Sequence, residues 1–116
     1  GKIVNVSSVA GKKGSAETLA YNAANFAVVG MTQSMAREFG PRGVNVNCVC
    51  PGLVATSRMD AVKPADAPTS ATGPEPVKTW GTDEDVGSLI SYLCTEASAW
   101  IHGQSINQCG GRMMEH

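Results

Sequence analysis

Residues 3–52, IVNVSSVAGKKGSAETLAYNAANFAVVGMTQSMAREFGPRGVNVNCVCPG, decide the fold. Ile3 to Val6 is a short β-rich run, too continuous for a half-exposed alternating strand, and has the pattern of a strand buried in a parallel sheet. Ser7 to Glu17 is small, polar and glycine-containing, as a loop is. From about Thr18 the spacing turns helical. Ala24, Ala27, Val28, Met31 and Met35 recur at three- and four-residue intervals and form one apolar stripe. Ala20, Ala23, Ala24, Ala27 and Gly30 keep this helix slim, so a neighbouring backbone can approach it closely. Gly40-Pro41 ends it, with Arg37 placed in the last turn where a cation suits the helix dipole. Gly43 to Val49 is a second strand, which Cys50-Pro51-Gly52 breaks. Strand, helix and strand in this order make a right-handed crossover unit of a parallel sheet.

Beyond this unit the pattern changes. Ser57 to Thr79 holds four of the six prolines (Pro64, Pro68, Pro74 and Pro76) and no hydrophobic period. Such a stretch inside a compact domain is expected to be a functional lid. Thr82 is a good N-cap, followed by three first-turn acids, Asp83, Glu84 and Asp85. Val86, Leu89, Ile90 and Leu93 are the expected buried face of the helix they open. Trp100 to Gly103 turns, Gln104 to Asn107 is a last strand, and Gly110-Gly111 closes it. Three strands and two helices give an α/β class, but a doubly wound sheet covered on both faces needs more elements. A glycine-rich phosphate turn between a first strand and helix is also missing, since GKKG at 11–14 lacks that setting. The chain has the pattern of the second half of a larger doubly wound parallel sheet.

Composition narrows the function classes. At 116 residues and 12.0 kDa, with 42% hydrophobic and 16% charged residues, the chain is at most one globular domain. A net charge of -1 and scattered basic residues point to neither nucleic acid nor acidic membranes. No apolar run approaches the ~20 residues that span a bilayer. The opening GKIVNV is already a strand, so no secretory signal is expected and a cytoplasmic location is. Cys48 and Cys50 share one face of a strand and are poorly placed to bridge each other. With no CxxC and no His pair at zinc spacing, no metal site is expected, and buried thiols in a reducing compartment are. His102 is expected to be a surface turn residue, and Trp80 and Trp100 to pack beside the last helix.

The chemistry lies in Ser8, in Tyr21 13 positions later, and in Asn25 four positions after that. Reducing a ketone needs a proton donor within hydrogen-bond reach of the oxygen while hydride arrives at carbon. The developing oxyanion also needs a fixed donor, which a serine hydroxyl can supply. Standing alone, Ser8 reads first as a loop serine that caps nothing, and Tyr21 as a helix aromatic packing on its neighbours. Their surroundings change the balance. IVNVSS at 3–8, Gly11, Gly14, Tyr21, ARE at 36–38, GVNVNCVCPG at 43–52, Thr56 and GQSINQCGG at 103–111 occur in fixed order. With these words the chain resembles the carboxy-terminal half of a short-chain dehydrogenase/reductase, of the single-domain type that includes 3-oxoacyl-carrier-protein reductases.

The resemblance implies the second half of a doubly wound Rossmann-type parallel sheet, with residues 57–79 as a variable substrate loop. It implies Tyr21 as general acid/base, Ser8 as the hydroxyl that orients the substrate oxygen, and NAD or NADP as cofactor. Pro51, Gly52, Val54 and Thr56 resemble the family's nicotinamide-binding turn, and Tyr21 and Asn25 stand where the family holds the ribose. It further implies a small-molecule carbonyl or alcohol substrate and a homo-oligomer, dimer or tetramer. Asn25 is a departure, because the family has lysine there. It lies on the same helix face as Tyr21, yet carries no charge to favour the phenolate. Alcohol oxidation, which needs the base, is expected to suffer most. Cys109 is a second departure, standing where the family usually has an acid. The alternative is a catalytically inactive truncated relative that serves as an oligomerisation or binding module; the chain can also be one part of a split or cleaved enzyme.

Overall fold

The computed structural model describes residues 1–56, 76–77 and 79–115. Strand β1 (Lys2–Val6), helix α1 (Leu19–Phe39), strand β2 (Asn45–Pro51), helix α2 (Asp83–Leu93) and strand β3 (Ser105–Gln108) follow in chain order. Single 3₁₀ turns occupy Val9–Gly11, Gly40–Arg42 and Glu96–Ser98. The lid expected over 57–79 lies outside the described residues apart from 76, 77 and 79.

The three strands form a parallel sheet with β2 in the centre. Register runs from Lys2 opposite Asn45 to Val6 opposite Val49, then from Cys48 opposite Ser105 to Pro51 opposite Gln108. Val46, Asn47, Cys48, Val49 and Cys50 are all buried. Consecutive strand residues point to opposite faces, so an unbroken buried run means that both faces of β2 are covered. Helices α1 and α2 both pack on this strand. All four cysteines are free thiols; Cys48 and Cys50 are buried as expected, whereas Cys94 is exposed. The neighbouring Cys48 thiol and then burial push the Cys50 thiol up, so it stays protonated as part of the core.

Several expected boundaries move for physical reasons. Strand β2 starts at Asn45 rather than Gly43, because Gly43 sits at φ 79° and closes the turn that follows α1. The strand then continues through Pro51 instead of breaking before it. Asn45 donates toward β1, while Cys48 and Gly52 donate toward β3, so odd-numbered amides face β1. Pro51 therefore lacks a donor only on the side where β1 has already ended. Strand β3 lies one residue later than expected, at Ser105–Gln108.

The stripe of α1 is also corrected. Asn22, Thr32 and Ala36 are buried, and Asn25, Val28, Val29, Met35 and Phe39 half-buried, whereas Ala24, Ala27 and Met31 are exposed. Polar residues take inward positions because they find partners there. Thr32 Oγ1 donates to Val28 O at 2.8 Å and accepts from Asn5 Nδ2 at 2.9 Å. In α2, Leu93 is buried and Val86, Leu89 and Ile90 are half-buried, the four expected positions. Its start is a capping box in which Thr82 Oγ1 accepts from Asp85 N–H and Asp85 Oδ2 accepts from Thr82 N–H.

His102 is a cross-brace rather than a surface turn residue. Its Nδ1 accepts from the Val46 amide at 3.2 Å, which leaves Nε2 to donate to Ala36 O at 2.8 Å. The imidazole thus ties α1 to β2, and a Cβ at Gly40 would lie 2.7 Å from Nε2, so only glycine leaves room for the ring. Replacing His102 by Ala strands the amide of fully buried Val46, at about 1–3 kcal/mol, while Ala36 O keeps its bond from Gly40 N–H. A thermal melt of His102→Ala is expected to show this as a loss of several degrees. Trp100, expected to pack, is instead fully exposed.

Candidate active site

In a parallel sheet the carboxyl ends of all strands lie at one edge. Ser7 and Ser8 leave β1 at that edge, and Gly52 to Thr56 leave β2 there. Ser8 is not a serine that caps nothing. It is the N-cap of the Val9–Gly11 turn, and its Oγ accepts from Ala10 N–H at 3.1 Å. An accepting hydroxyl keeps its own proton available for donation. Tyr21 lies in the first turn of α1 with 47% of its surface exposed, and its hydroxyl has no hydrogen-bond partner among the described residues.

Two devices bind the turn after Ser8 to the helix that carries Tyr21. The first is Gly11, buried against α1, where a Cβ would lie 2.7 Å from Asn25 O and 2.5 Å from Ser7 Oγ. The second is Asn22, to which the sequence pattern assigns no role. Its Nδ2 donates to Ala10 O at 2.7 Å and to Lys13 O at 3.0 Å. Its Oδ1 accepts from Thr18 Oγ1 at 2.6 Å and from Ser15 N at 3.3 Å. No sequence signal marked it, because Asn22 lies off the apolar stripe of α1, on a face that only folding buries.

Asn25 is turned back onto its own surroundings. Its Nδ2 donates to Tyr21 O at 2.9 Å, and its Oδ1 accepts from Ser7 Oγ at 3.3 Å, while the same hydroxyl reaches Asn25 O at 2.9 Å. The side chain is neutral and short, and one of its two amide protons is already committed. The loop's Lys12 points elsewhere: its Nζ donates to Ser105 O and pairs with Glu115 Oε2 at 2.7 Å, with the side chain 9% exposed.

The Pro51–Thr56 turn is pinned on two sides. Gly52 N–H donates to Gln108 O at 2.9 Å, and a Cβ on Gly52 would lie 2.8 Å from Cys109 Cβ. Val54 forms an isolated parallel bridge with Gly81, made by Gly81 N–H to Leu53 O and Ala55 N–H to Gly81 O, both 2.9 Å. In such a bridge the residue between the two bonds points its own amide and carbonyl the other way. Those two groups of Val54 have no partner among the described residues. A cleft of ≈ 250 Å³ opens beside the turn, lined by Leu53, Val54, Trp80, Val86, Gln108 and Cys109 among others. The site thus joins a serine turn, a tyrosine helix and an unpaired backbone amide and carbonyl at one sheet edge. No group of three or more potential metal ligands occurs among the described residues.

Residues 1–112 match the family model described as enoyl-(acyl carrier protein) reductase. The chain is 36% identical over 114 residues to a 3-oxoacyl-acyl-carrier-protein reductase of Vibrio cholerae, covering 98% of this chain and 46% of that protein. It is similar in structure to a 4-hydroxyisoleucine dehydrogenase mutant complexed with NADH and succinate, at TM-score 0.89 and 34% identity over 97% of this chain and 46% of the other. A short-chain type dehydrogenase/reductase from Mycobacterium ulcerans gives TM-score 0.87 at 31% identity, covering 96% of this chain and 41% of the other. The chain therefore spans less than half the length of the relatives it matches. Matched along nearly its whole length in sequence and in fold, the chain belongs to the short-chain dehydrogenase/reductase family.

Proposed function

We propose that this chain carries the acid/base and substrate-side half of an NAD(P)-dependent oxidoreductase that interconverts a carbonyl and a secondary alcohol. In this reading it is the carboxy-terminal half of a single Rossmann-type domain, and residues 57–79 are the substrate loop. The observation that carries the proposal is the fastening of the Ser8 turn to the Tyr21 helix at the carboxyl edge of a parallel sheet, where ligands of α/β folds bind. In the reducing direction Tyr21 gives its hydroxyl proton to the carbonyl oxygen, and in the oxidising direction it takes one from the alcohol. Ser8 donates to the same oxygen and offsets the charge that develops there. Asn25, neutral in the position of the family's lysine, supplies no charge to stabilise a phenolate beside it, so turnover is slow.

The residues present fit a nicotinamide. The unpaired amide and carbonyl of Val54 match the acceptor and donors of a carboxamide, with Pro51 and Gly52 setting the turn and Thr56 following it. When bound, this group gives or takes the hydride. NADH in the similar dehydrogenase supports a nicotinamide cofactor here, either NAD or NADP. Exposed apolar side chains on α1, Leu19, Phe26 and Met31 among them, support a homo-oligomer, dimer or tetramer. Four unpaired cysteines favour a cytoplasmic location. Among the described residues no helix is long and apolar enough to cross a membrane.

The test is titration of NADH and NADPH into the full-length protein and into its Tyr21→Phe variant, with carbonyl reduction followed alongside. One cofactor is expected to bind both proteins alike, while turnover falls on the order of 10²-fold or more in the variant. Failure of both cofactors to bind, or equal turnover in the two proteins, overturns the proposal. A second reading, an inactive relative that serves as an oligomerisation or binding module, is favoured by the uncharged Asn25 side chain bonded back to Tyr21 O. It predicts no turnover from either protein.

A further inference from the structure

We propose that Asn22 is a positioning residue, the tether that fixes the Ser8 turn against the helix of Tyr21 and so sets the spacing of the two hydroxyls. The inference rests on the redox reading above and adds to it a residue that touches neither substrate nor cofactor. Asn22 is 8% exposed and directly follows Tyr21 in the chain. Its single amide spans the loop between the two hydroxyl-bearing residues. The donor side holds Ala10 O and Lys13 O, the carbonyls on either side of Gly11 and Lys12. The acceptor side takes the amide of Ser15 and the hydroxyls of Ser15 and Thr18.

These contacts matter because the loop has little else to hold it. Lys13 to Thr18 are exposed, and Glu17 has φ 66°, outside the conformations most residues favour. No apolar side chain of that segment is buried, so its course depends on hydrogen bonds, and one side chain makes four of them besides its bond to Ala10 O. Donors and acceptor act on different parts of the loop. The two donated bonds control the stretch next to Ser8, and the accepted ones control the approach to α1. Aspartate has the same shape but cannot donate, so Asn22→Asp removes the first set and keeps the acceptors. Asn22→Ala removes both.

The experiment compares the full-length protein with Asn22→Asp and Asn22→Ala by amide hydrogen exchange and by kinetics, each in the parent and in an Asn25→Lys background. Exchange at Gly11, Lys12 and Ser15 is expected to quicken about tenfold or more in Asn22→Ala, with amides of β2 unchanged. In Asn22→Asp the effect is expected at Gly11 and Lys12, with Ser15 still protected. Carbonyl reduction in the Asn25→Lys background is expected to lose roughly 10²-fold in kcat in both variants, with KM for the cofactor within about twofold, as for a misplaced reacting group. Unchanged exchange at Gly11 and Lys12 in both variants overturns the tether. So does a kcat that Asn22→Asp leaves at the parent value, since a residue that only fills space would do that. Exchange is read whether or not the protein turns over. If turnover is absent in the parent and in Asn25→Lys while exchange quickens, the tether stands and it is the redox reading that fails.

Discussion

Replacing Asn25 by Lys is expected to raise alcohol oxidation on the order of 10²- to 10³-fold and carbonyl reduction by less. A unit charge ~4 Å from a second charge is worth about 4 kcal/mol at an effective dielectric near 20, and each 1.4 kcal/mol is about a factor of ten. The benefit falls on the direction in which the tyrosine must be deprotonated. Oxidation begins from the phenolate, whereas reduction begins from the phenol and meets the charge only as it develops. The substitution also frees Tyr21 O and Ser7 Oγ from the asparagine side chain. Ser7 keeps its bond to Asn25 O at 2.9 Å, because that acceptor is backbone. The fold is therefore expected to tolerate the lysine. The check is initial rates in both directions with NAD and NADP, for parent and variant at matched pH. Equal rates would mean that asparagine does not limit the chemistry, and the site would then draw its base from elsewhere.

Gly11→Ala is expected to harm both stability and activity. The added methyl would meet Ser7 Oγ at 2.5 Å and the Asn25 carbonyl at 2.7 and 2.9 Å, so two of the three nearest atoms belong to helix backbone. Backbone of a packed helix moves less readily than a side chain, and the strain of such overpacking is about 1–3 kcal/mol. The turn yields first, since it is one 3₁₀ turn held by Gly11 N–H to Ser8 O at 2.9 Å and by Asn22. Its displacement carries Ser8 with it. A shift near 1 Å at a reacting group can cost about 10²-fold in rate, so activity should fall further than the melting temperature suggests. Thermal unfolding and turnover measured together decide it. A variant that melts and reacts like the parent would show that the turn does not need its close approach to α1.

Much of this was legible in the residues themselves. The crossover unit follows from short β-rich runs on either side of a helical stretch, because strand and helix periods differ and glycine and proline punctuate them. Helix α2 was legible to its buried positions, since Thr82 and three acids start it and one apolar face continues it. Ser8, Tyr21 and the Pro51–Thr56 turn stand out as a set through the family resemblance, and the roles proposed for them rest on it. The chain by itself thus determined its class, the order of its elements and the residues to which chemistry could be assigned.

Tertiary structure decided which faces are buried and what holds the site. The stripe of α1 misled because burial favours any group with a partner, not only apolar ones, and Asn22 and Thr32 find partners in the Ser8 loop and in β1. His102 misled in the same way, since both of its nitrogens meet backbone groups of α1 and β2 that lie far from it in the chain. Pro51 could extend β2 only because β1 stops first, which no local pattern reveals. Periodicity records the average medium on each side of an element; the partners of a buried polar atom depend on chain segments brought together by folding, and only the folded structure specifies them.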